Sequence, residues 1–322
     1  MPKLCFFVSE DWYFVSHRLN LAKQARAEGF DVIVCTRDSG QREVIEATGA
    51  RLLHFKQERR GLNPFVILKE AWALSMIYRA EKPDLVHHIA LRSVVVGELA
   101  SWIAGVKGKV SAIAGLGFLF TGDGRPGLAR LILQRLLPLL LSRSETIVQN
   151  EDDARMITAM GLDPRRINLI PGAGVDLISF APKPRSGGPM VVMLASRMLW
   201  DKGIGEFVEA ARRLRQPSVR FVLAGMVDPH NPSGIATDQL QAWEQEGVIE
   251  WWGHQTDMVK CLNQADVVCL PSYREGLPKV LLEAMACARP CIATDVPGCR
   301  DAVTHGYNGL LVPVRDSIAL GN

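Results

Sequence analysis

Two carboxylates, Glu275 and Glu283, bracket the segment Glu275-Gly276-Leu277-Pro278-Lys279-Val280-Leu281-Leu282-Glu283. Ahead of it, Val267-Val268-Cys269-Leu270 reads as a short apolar strand stopped by Pro271 and Ser272. Gly276 and Pro278 then open a helix, because the fixed φ of proline suits the first helical position. Glu275 therefore falls in a loop before the helix, and Glu283 about one and a half turns into it. One carboxylate can meet one end of a bound molecule and the second the other end. Free backbone N–H groups between them can hold phosphate. A second set lies upstream in Arg197-Met198-Leu199-Trp200-Asp201-Lys202-Gly203. Arg197 and Lys202 are fixed cations in a strand-to-helix loop, and Gly203 lets the backbone turn. Two cations beside a helix N-terminus suit a diphosphate. Taken singly, each feature has a plainer explanation, since an exposed glutamate needs no partner and loop cations are commonly solvated.

The first half carries a different set. Ser9-Glu10-Asp11-Trp12-Tyr13-Phe14-Val15-Ser16-His17-Arg18-Leu19 follows the first strand as a long aromatic loop that places His17 and Arg18 at a helix start. It is not Gly-x-Gly-x-x-Gly, which argues against a dinucleotide dehydrogenase. His87-His88-Ile89-Ala90-Leu91-Arg92 follows the fourth strand, and Gly115-Leu116-Gly117-Phe118-Leu119-Phe120 the fifth. All three leave carboxyl ends of strands, where open α/β sheets bind ligands. A buried core histidine remains the plain alternative for His87 and for His88.

The elements that must hold these residues alternate. Apolar strands are expected at 4–8, 31–35, 51–54, 85–88, 110–113 and 146–149, with helices near 17–28, 64–80, 93–104 and 128–142. The second half repeats the plan, with strands at 191–195, 219–224, 248–252, 267–270, 290–294 and 309–312. Continuous apolar strands between amphipathic helices argue for parallel sheets covered on both faces. A Pro- and Gly-rich stretch at 181–189 reads as a linker, dividing a domain at 1–180 from one at 190–322. A helix opens near Asp316 just as the chain stops, so the second domain is expected to be incomplete at its C-terminus.

A length of 322 residues, 48% of them hydrophobic, supports two buried cores. Residues 1–185 hold 25 of the 37 Lys and Arg but only 19 of the 34 Asp and Glu, so the basic excess lies in the first half. It is too sparse for nucleic acid and fits an anionic membrane surface or an ordinary solvated one. The segment 128–143 is apolar with spaced arginines, and either lies at a membrane interface or packs into the core. Seven cysteines without Cys-x-x-Cys spacing argue against a metal site and fit a reducing cytoplasm. No apolar run reaches transmembrane length.

The stretch 271–286, together with the Arg-x4-Lys-Gly pattern of Arg197, Lys202 and Gly203, resembles the retaining family-4 glycosyltransferases. The resemblance implies an α/β fold of two facing Rossmann-like domains (GT-B), the first binding acceptor and the second a nucleotide-sugar donor. It implies that Glu275 contacts donor-sugar hydroxyls and that Glu283 accepts hydrogen bonds from the ribose. Backbone N–H groups of Gly276, Leu277 and Lys279 would touch the phosphates, and Arg197 and Lys202 would stabilise the leaving diphosphate. No Asp-x-Asp is present to hold Mg²⁺, so neither metal nor cofactor is expected. The first-half segments resemble the branch acting on lipid-linked saccharides, which sets His87 or His88 near the donor and His17, Arg18, Arg92 and Gly117 in acceptor-side loops. The implied donor is a UDP-sugar, the implied partners are a lipid-linked acceptor and the inner membrane surface, and nucleic acid is not among them. A UDP-sugar 2-epimerase of the same architecture and an inactive nucleotide-sugar-binding fragment are the alternatives.

Overall fold

A computed structural model describes residues 1–58, 63–116, 128–184, 187–229 and 231–322. The chain divides into two compact units, Met1–Ala173 and Gly174–Asn322.

The first unit is a parallel sheet of β1 (Lys3–Glu10), β2 (Asp31–Arg37), β3 (Arg51–His54), β4 (Leu85–Ile89), β5 (Gly108–Ile113), β6 (Glu145–Val148) and β7 (Ile167–Leu169). Their spatial order is β3-β2-β1-β4-β5-β6-β7. Its helices are α1 (Asp11–Ala27), α2 (Arg42–Glu46), α3 (Pro64–Glu81), α4 (Leu91–Ala104), α5 (Leu128–Leu141) and α6 (Glu151–Ala159). The two-residue period of a strand divides β1 between two cores. Leu4, Phe6 and Val8 pack with Phe14, Ala22 and Ala25 of α1, whereas Cys5 and Phe7 pack with Leu74 and Tyr78 of α3 and Val96 of α4. Each fully buried phenylalanine contributes roughly 2–3 kcal/mol.

The second unit holds β8 (Met190–Ala195), β9 (Val219–Ala224), β10 (Glu250–Trp251), β11 (Val267–Leu270), β12 (Cys291–Thr294) and β13 (Gly309–Val312) in the order β10-β9-β8-β11-β12-β13. Around it lie α7 (Ile204–Arg213), α8 (Thr237–Gln245), α9 (Met258–Asn263), α10 (Lys279–Ala286), α11 (Cys299–Ala302) and α12 (Ser317–Gly321). In each sheet the strand order reverses direction once, between β1 and β4 and between β8 and β11. Such a switch point leaves a crevice at the carboxyl ends of the two strands.

Three expectations from the sequence change. The aromatic segment after β1 is not a long loop: α1 begins at Asp11, directly after β1 ends. The reason is Asp11 itself, a buried first-turn carboxylate that accepts from its neighbour Trp12 N (2.7 Å) and from Ser39 N (2.6 Å). His17 and Arg18 consequently lie in the second turn of α1 rather than at a helix start. Second, β7 is an added edge strand. Third, the two units part before 181–189. Phe180 packs against the core of the second unit, and Asn263 Oδ1 accepts from Lys183 N at 2.9 Å, so the residues after 173 go with that unit.

Candidate functional site

In the second unit, the loops leaving β8 and β11 carry the two predicted motifs, and these strands are neighbours at the switch point. Lys202 Nζ donates to Glu275 Oε1 at 2.5 Å, joining the motifs across the sheet edge. Gly203 makes this approach possible. Its φ is +71°, and a Cβ there would lie 2.1 Å from the carbonyl oxygen of Pro271. Tyr273 N donates to the Asp201 carbonyl at 2.9 Å, a second tie between the same loops. On the far side of the Glu275 loop, Gly298 (φ +81°) lies so close that a Cβ would sit 2.2 Å from the Gly276 carbonyl oxygen.

Arg197 Nη1 pairs with Asp228 Oδ2 at 3.1 Å, and its side chain is 41% exposed. Asp228 is largely covered (12% exposed), so the exposed guanidinium is the half of this pair open to an incoming anion. Glu283, on α10, is buried and pairs with Lys279 one turn earlier. Burial raises its carboxyl pKa, and Lys279 partly opposes that. Pro278 is the N-cap of α10, so the helix starts one residue later than its proline suggested, at Lys279. The backbone of Gly276, Leu277 and Lys279 thus spans the approach to α10, between the two carboxylates.

Sequence reasoning missed the brace behind these loops. Tyr273 OH donates to Glu206 Oε1 of α7 at 2.8 Å, and the Arg315 guanidinium stands 4.7 Å over the Tyr273 ring. Burial, with the Glu206 hydrogen bond second, pushes the Tyr273 pKa up to about 12. These contacts join residues far apart in the chain, and no local pattern announces them. A cavity of about 550 Å³ also opens after β10, lined by Trp252, Gln255, Thr256, Asp257, Lys260 and Gln264. None of the motif residues lines it, so the geometry of the paired loops, not this hollow, defines the candidate site.

In the first unit, His87 and His88 are consecutive on β4 and face opposite sides of the sheet. His88 is fully enclosed on the α4 side. Its Nδ1 lies 3.4 Å from Glu98 Oε1, its Nε2 lies 3.4 Å from Ser101 Oγ, and Lys109 Nζ reaches Glu98 Oε2 at 2.6 Å. Burial would raise the Glu98 pKa, but His88 and Lys109 outweigh it and hold it at about 2. Gly97 admits the His88 ring, since a Cβ there would meet its Cδ2 at 2.3 Å. His88 is thereby a partnered core histidine. His87 packs 5.4 Å from Phe6, and its Nε2 has no hydrogen-bond partner among the described residues. Burial first, then the nearby Arg18 and His88, lower its pKa to about 3. Arg18 is buried as well, which lowers its own pKa.

His17 stacks on Tyr13 at 4.2 Å and its Nδ1 lies 3.2 Å from the Tyr13 carbonyl oxygen. Arg92 Nη2 pairs with Glu70 Oε2 at 2.9 Å. At the end of β4, Ala90 holds φ +72°, an unusual value for a residue with a Cβ and one found where a site constrains the backbone. Gly117, with the 118–120 aromatics, lies outside the described residues. All seven cysteines are buried and unpaired by disulfides, and no cluster of metal-ligating side chains occurs among the described residues.

Two doubly wound parallel sheets, with a cation–carboxylate pair at the switch point of the second, define an α/β protein of the GT-B class. Residues 3–151 match the family described as glycosyl transferase 4-like, and residues 189–322 match glycosyl transferases group 1. The chain belongs to the family-4 (group 1) glycosyltransferases.

Among curated relatives, it is 28% identical over 316 residues to the N,N'-diacetylbacillosaminyl-diphospho-undecaprenol alpha-1,3-N-acetylgalactosaminyltransferase of Campylobacter jejuni, covering 93% of this chain and 82% of that one. It is 25% identical over 307 residues to the UDP-Gal:alpha-D-GlcNAc-diphosphoundecaprenol alpha-1,3-galactosyltransferase of Escherichia coli, covering 90% and 78%. Anabaena HepE, solved with UDP and glucose, superposes with a TM-score of 0.78 at 20% identity, covering 100% of this chain and 88% of its own. Sucrose-phosphate synthase from Thermosynechococcus elongatus gives 0.80 at 21% identity, with the same coverage. The two superpositions establish the fold.

Proposed function

We propose that this chain is a retaining glycosyltransferase that moves a hexosyl or N-acetylhexosaminyl group from a UDP-sugar to a lipid-linked saccharide, in the assembly of a cell-surface glycan at the inner membrane face. The observation that carries the reading is the Lys202–Glu275 contact, which brings the two motif loops together at the switch point of the second unit. The activities of the Campylobacter and Escherichia relatives, both on undecaprenyl-diphosphate-linked acceptors, support the acceptor class. UDP bound to HepE supports the donor class.

In this reading a donor diphosphate exchanges with Asp228 for Arg197 and shares Lys202 with Glu275. The bond from the anomeric carbon to the diphosphate breaks as the acceptor oxygen attaches on the same face. The acceptor proton passes to the departing phosphate oxygen. Two preorganised cations stabilise the charge that develops there, often a large catalytic contribution. Glu275 holds sugar hydroxyls, Glu283 takes the ribose hydroxyls, and the N–H groups of Gly276, Leu277 and Lys279 meet the phosphates. His17, Arg18 and Arg92 belong to the first unit's acceptor side, and His87, neutral at physiological pH, is the histidine assigned to the donor sugar. Neither metal nor cofactor enters these steps.

The test uses radiolabelled UDP-sugars with an undecaprenyl-diphosphate saccharide. Transfer is expected from the wild type, with a loss of roughly 10²-fold or more in kcat for Glu275→Ala and Lys202→Ala. Undiminished transfer by Glu275→Ala removes that residue from the mechanism. Interconversion of free UDP-sugars without acceptor replaces transferase by epimerase, and UDP binding with no turnover selects the inactive fragment.

A further inference from the structure

We infer that α3, together with the adjoining outer surfaces of α4 and α5, is a docking face for a bilayer containing anionic lipid. An amphipathic helix packed on a sheet turns its apolar side inward. Here α3 is apolar on both sides. Ala71, Leu74 and Tyr78 face the core, while Phe65 (80% exposed), Leu68 (54%), Trp72 (57%) and Met76 (50%) face outward. Their spacing of three, four and four residues sets them in one stripe. The stripe continues onto neighbouring helices. Arg79 Nη2 donates to the Ile103 carbonyl of α4 at 2.9 Å, next to Trp102, which is 72% exposed. On α5, Leu133, Leu137 and Leu141 are buried with Val94 and Val95 of α4, and Leu131, Ile132, Leu136 and Leu139 are exposed.

Charge identifies the occupant. Lys69, Arg79 and Arg135 are exposed on these helices, and Lys82 and Lys107 flank them. Every carboxylate of the three helices is withdrawn: Glu70 and Glu98 are buried on Arg92 and Lys109, and half-buried Glu81 is held by Arg51 and Lys3. Beyond α3, Asp84 accepts from the Lys3 backbone N–H. Arg79 also stands 5.7 Å over the Trp72 ring. Aromatic and aliphatic side chains mixed with cations, with no exposed acid on the described residues of the three helices and exposed Glu58 and Asp84 lying outside them, match a lipid interface with negative headgroups. A second protein copy would face like charges across this surface. No described helix is long and apolar enough to cross a membrane, so the contact lies in the plane of the bilayer.

This inference extends the membrane-peripheral part of the proposed function and is tested without donor or acceptor, so its failure leaves the transfer reaction standing. Vesicles of phosphatidylcholine, alone or with phosphatidylglycerol, are sedimented with the full chain. Binding is expected only to the anionic vesicles, weakening as salt rises. The double variants Phe65→Ser/Trp72→Ser and Lys69→Glu/Arg79→Glu should each bind at least tenfold more weakly with an unchanged melting temperature. Tryptophan emission should be quenched by brominated lipid in the wild type, and much less in the conservative variant Trp72→Phe/Trp102→Phe. Absence of binding to anionic vesicles, quenching that survives this last variant, or a dimer in solution that Phe65→Ser/Trp72→Ser dissolves would overturn the inference.

Discussion

Glu283 is a carboxylate kept out of water and answered by a single lysine on its own helix. Removing its charge while keeping its shape isolates the ribose role. Glu283→Gln is expected to weaken UDP binding about tenfold, roughly 1.4 kcal/mol, as expected for one hydrogen bond to a charged group. Calorimetric titration reads this, and an unchanged Kd would remove Glu283 from the donor site. Because burial raises its pKa, UDP affinity should fall on acidification earlier than it would with an ordinary glutamate. His87 gives a stability signal of its own. The folded ring takes a proton only near pH 3, against 6.5 ordinarily, so the unfolded chain binds the extra proton between those values. Stability therefore drops as pH falls below about 6.5, by roughly 1.4 kcal/mol per pH unit from this group, and the term vanishes above it. Urea titrations at pH 7 and pH 5 should show a smaller difference for His87→Gln than for the wild type. An equal difference would place the acid sensitivity elsewhere.

The loops after β8 and β11 work as a pair, and small changes in either reach the other. Gly203→Ala adds a Cβ onto the Pro271 carbonyl at a left-handed φ, so a destabilisation of about 2 kcal/mol or more is expected together with loss of transfer. Tyr273→Phe removes only the hydroxyl held by Glu206. It should lower kcat severalfold and leave Kd for UDP nearly unchanged, and a fall in UDP affinity equal to that in kcat would contradict a purely positioning role. Twelve strands stood out in the sequence because parallel strands buried on both faces read as unbroken apolar runs. The remaining one, β7, has Asn168 and an exposed Leu169 on a sheet edge and leaves no such run. The start of α1 was hidden because Trp12, Tyr13 and Phe14 resemble an aromatic loop, while its anchor is Asp11 reaching across to Ser39. Glu275, Glu283, Arg197 and Lys202 were legible from local spacing. Asp228 and Glu206 were not, since each meets its partner only through the fold.

At the scale of the whole chain, each unit has its own sheet and its own cores, so ligand effects should be separable. UDP at a hundredfold excess over Kd stabilises the state that binds it by about 2.7 kcal/mol. Hydrogen exchange with UDP should show slowed backbone amides at 196–203 and 273–283 and little change in the strands of residues 1–173. Protection confined to the first unit would reverse the assignment of the donor to the second. The distribution of sulfur has a practical consequence. Burial pushes the thiol pKa up to about 12 at Cys5, Cys269 and Cys291, and well above the ordinary value at Cys35, so native thiolates are scarce at neutral pH. A cysteine introduced on the surface would then be the one fast-reacting handle for a maleimide fluorophore or spin probe, with no need first to strip the chain of its own sulfhydryls.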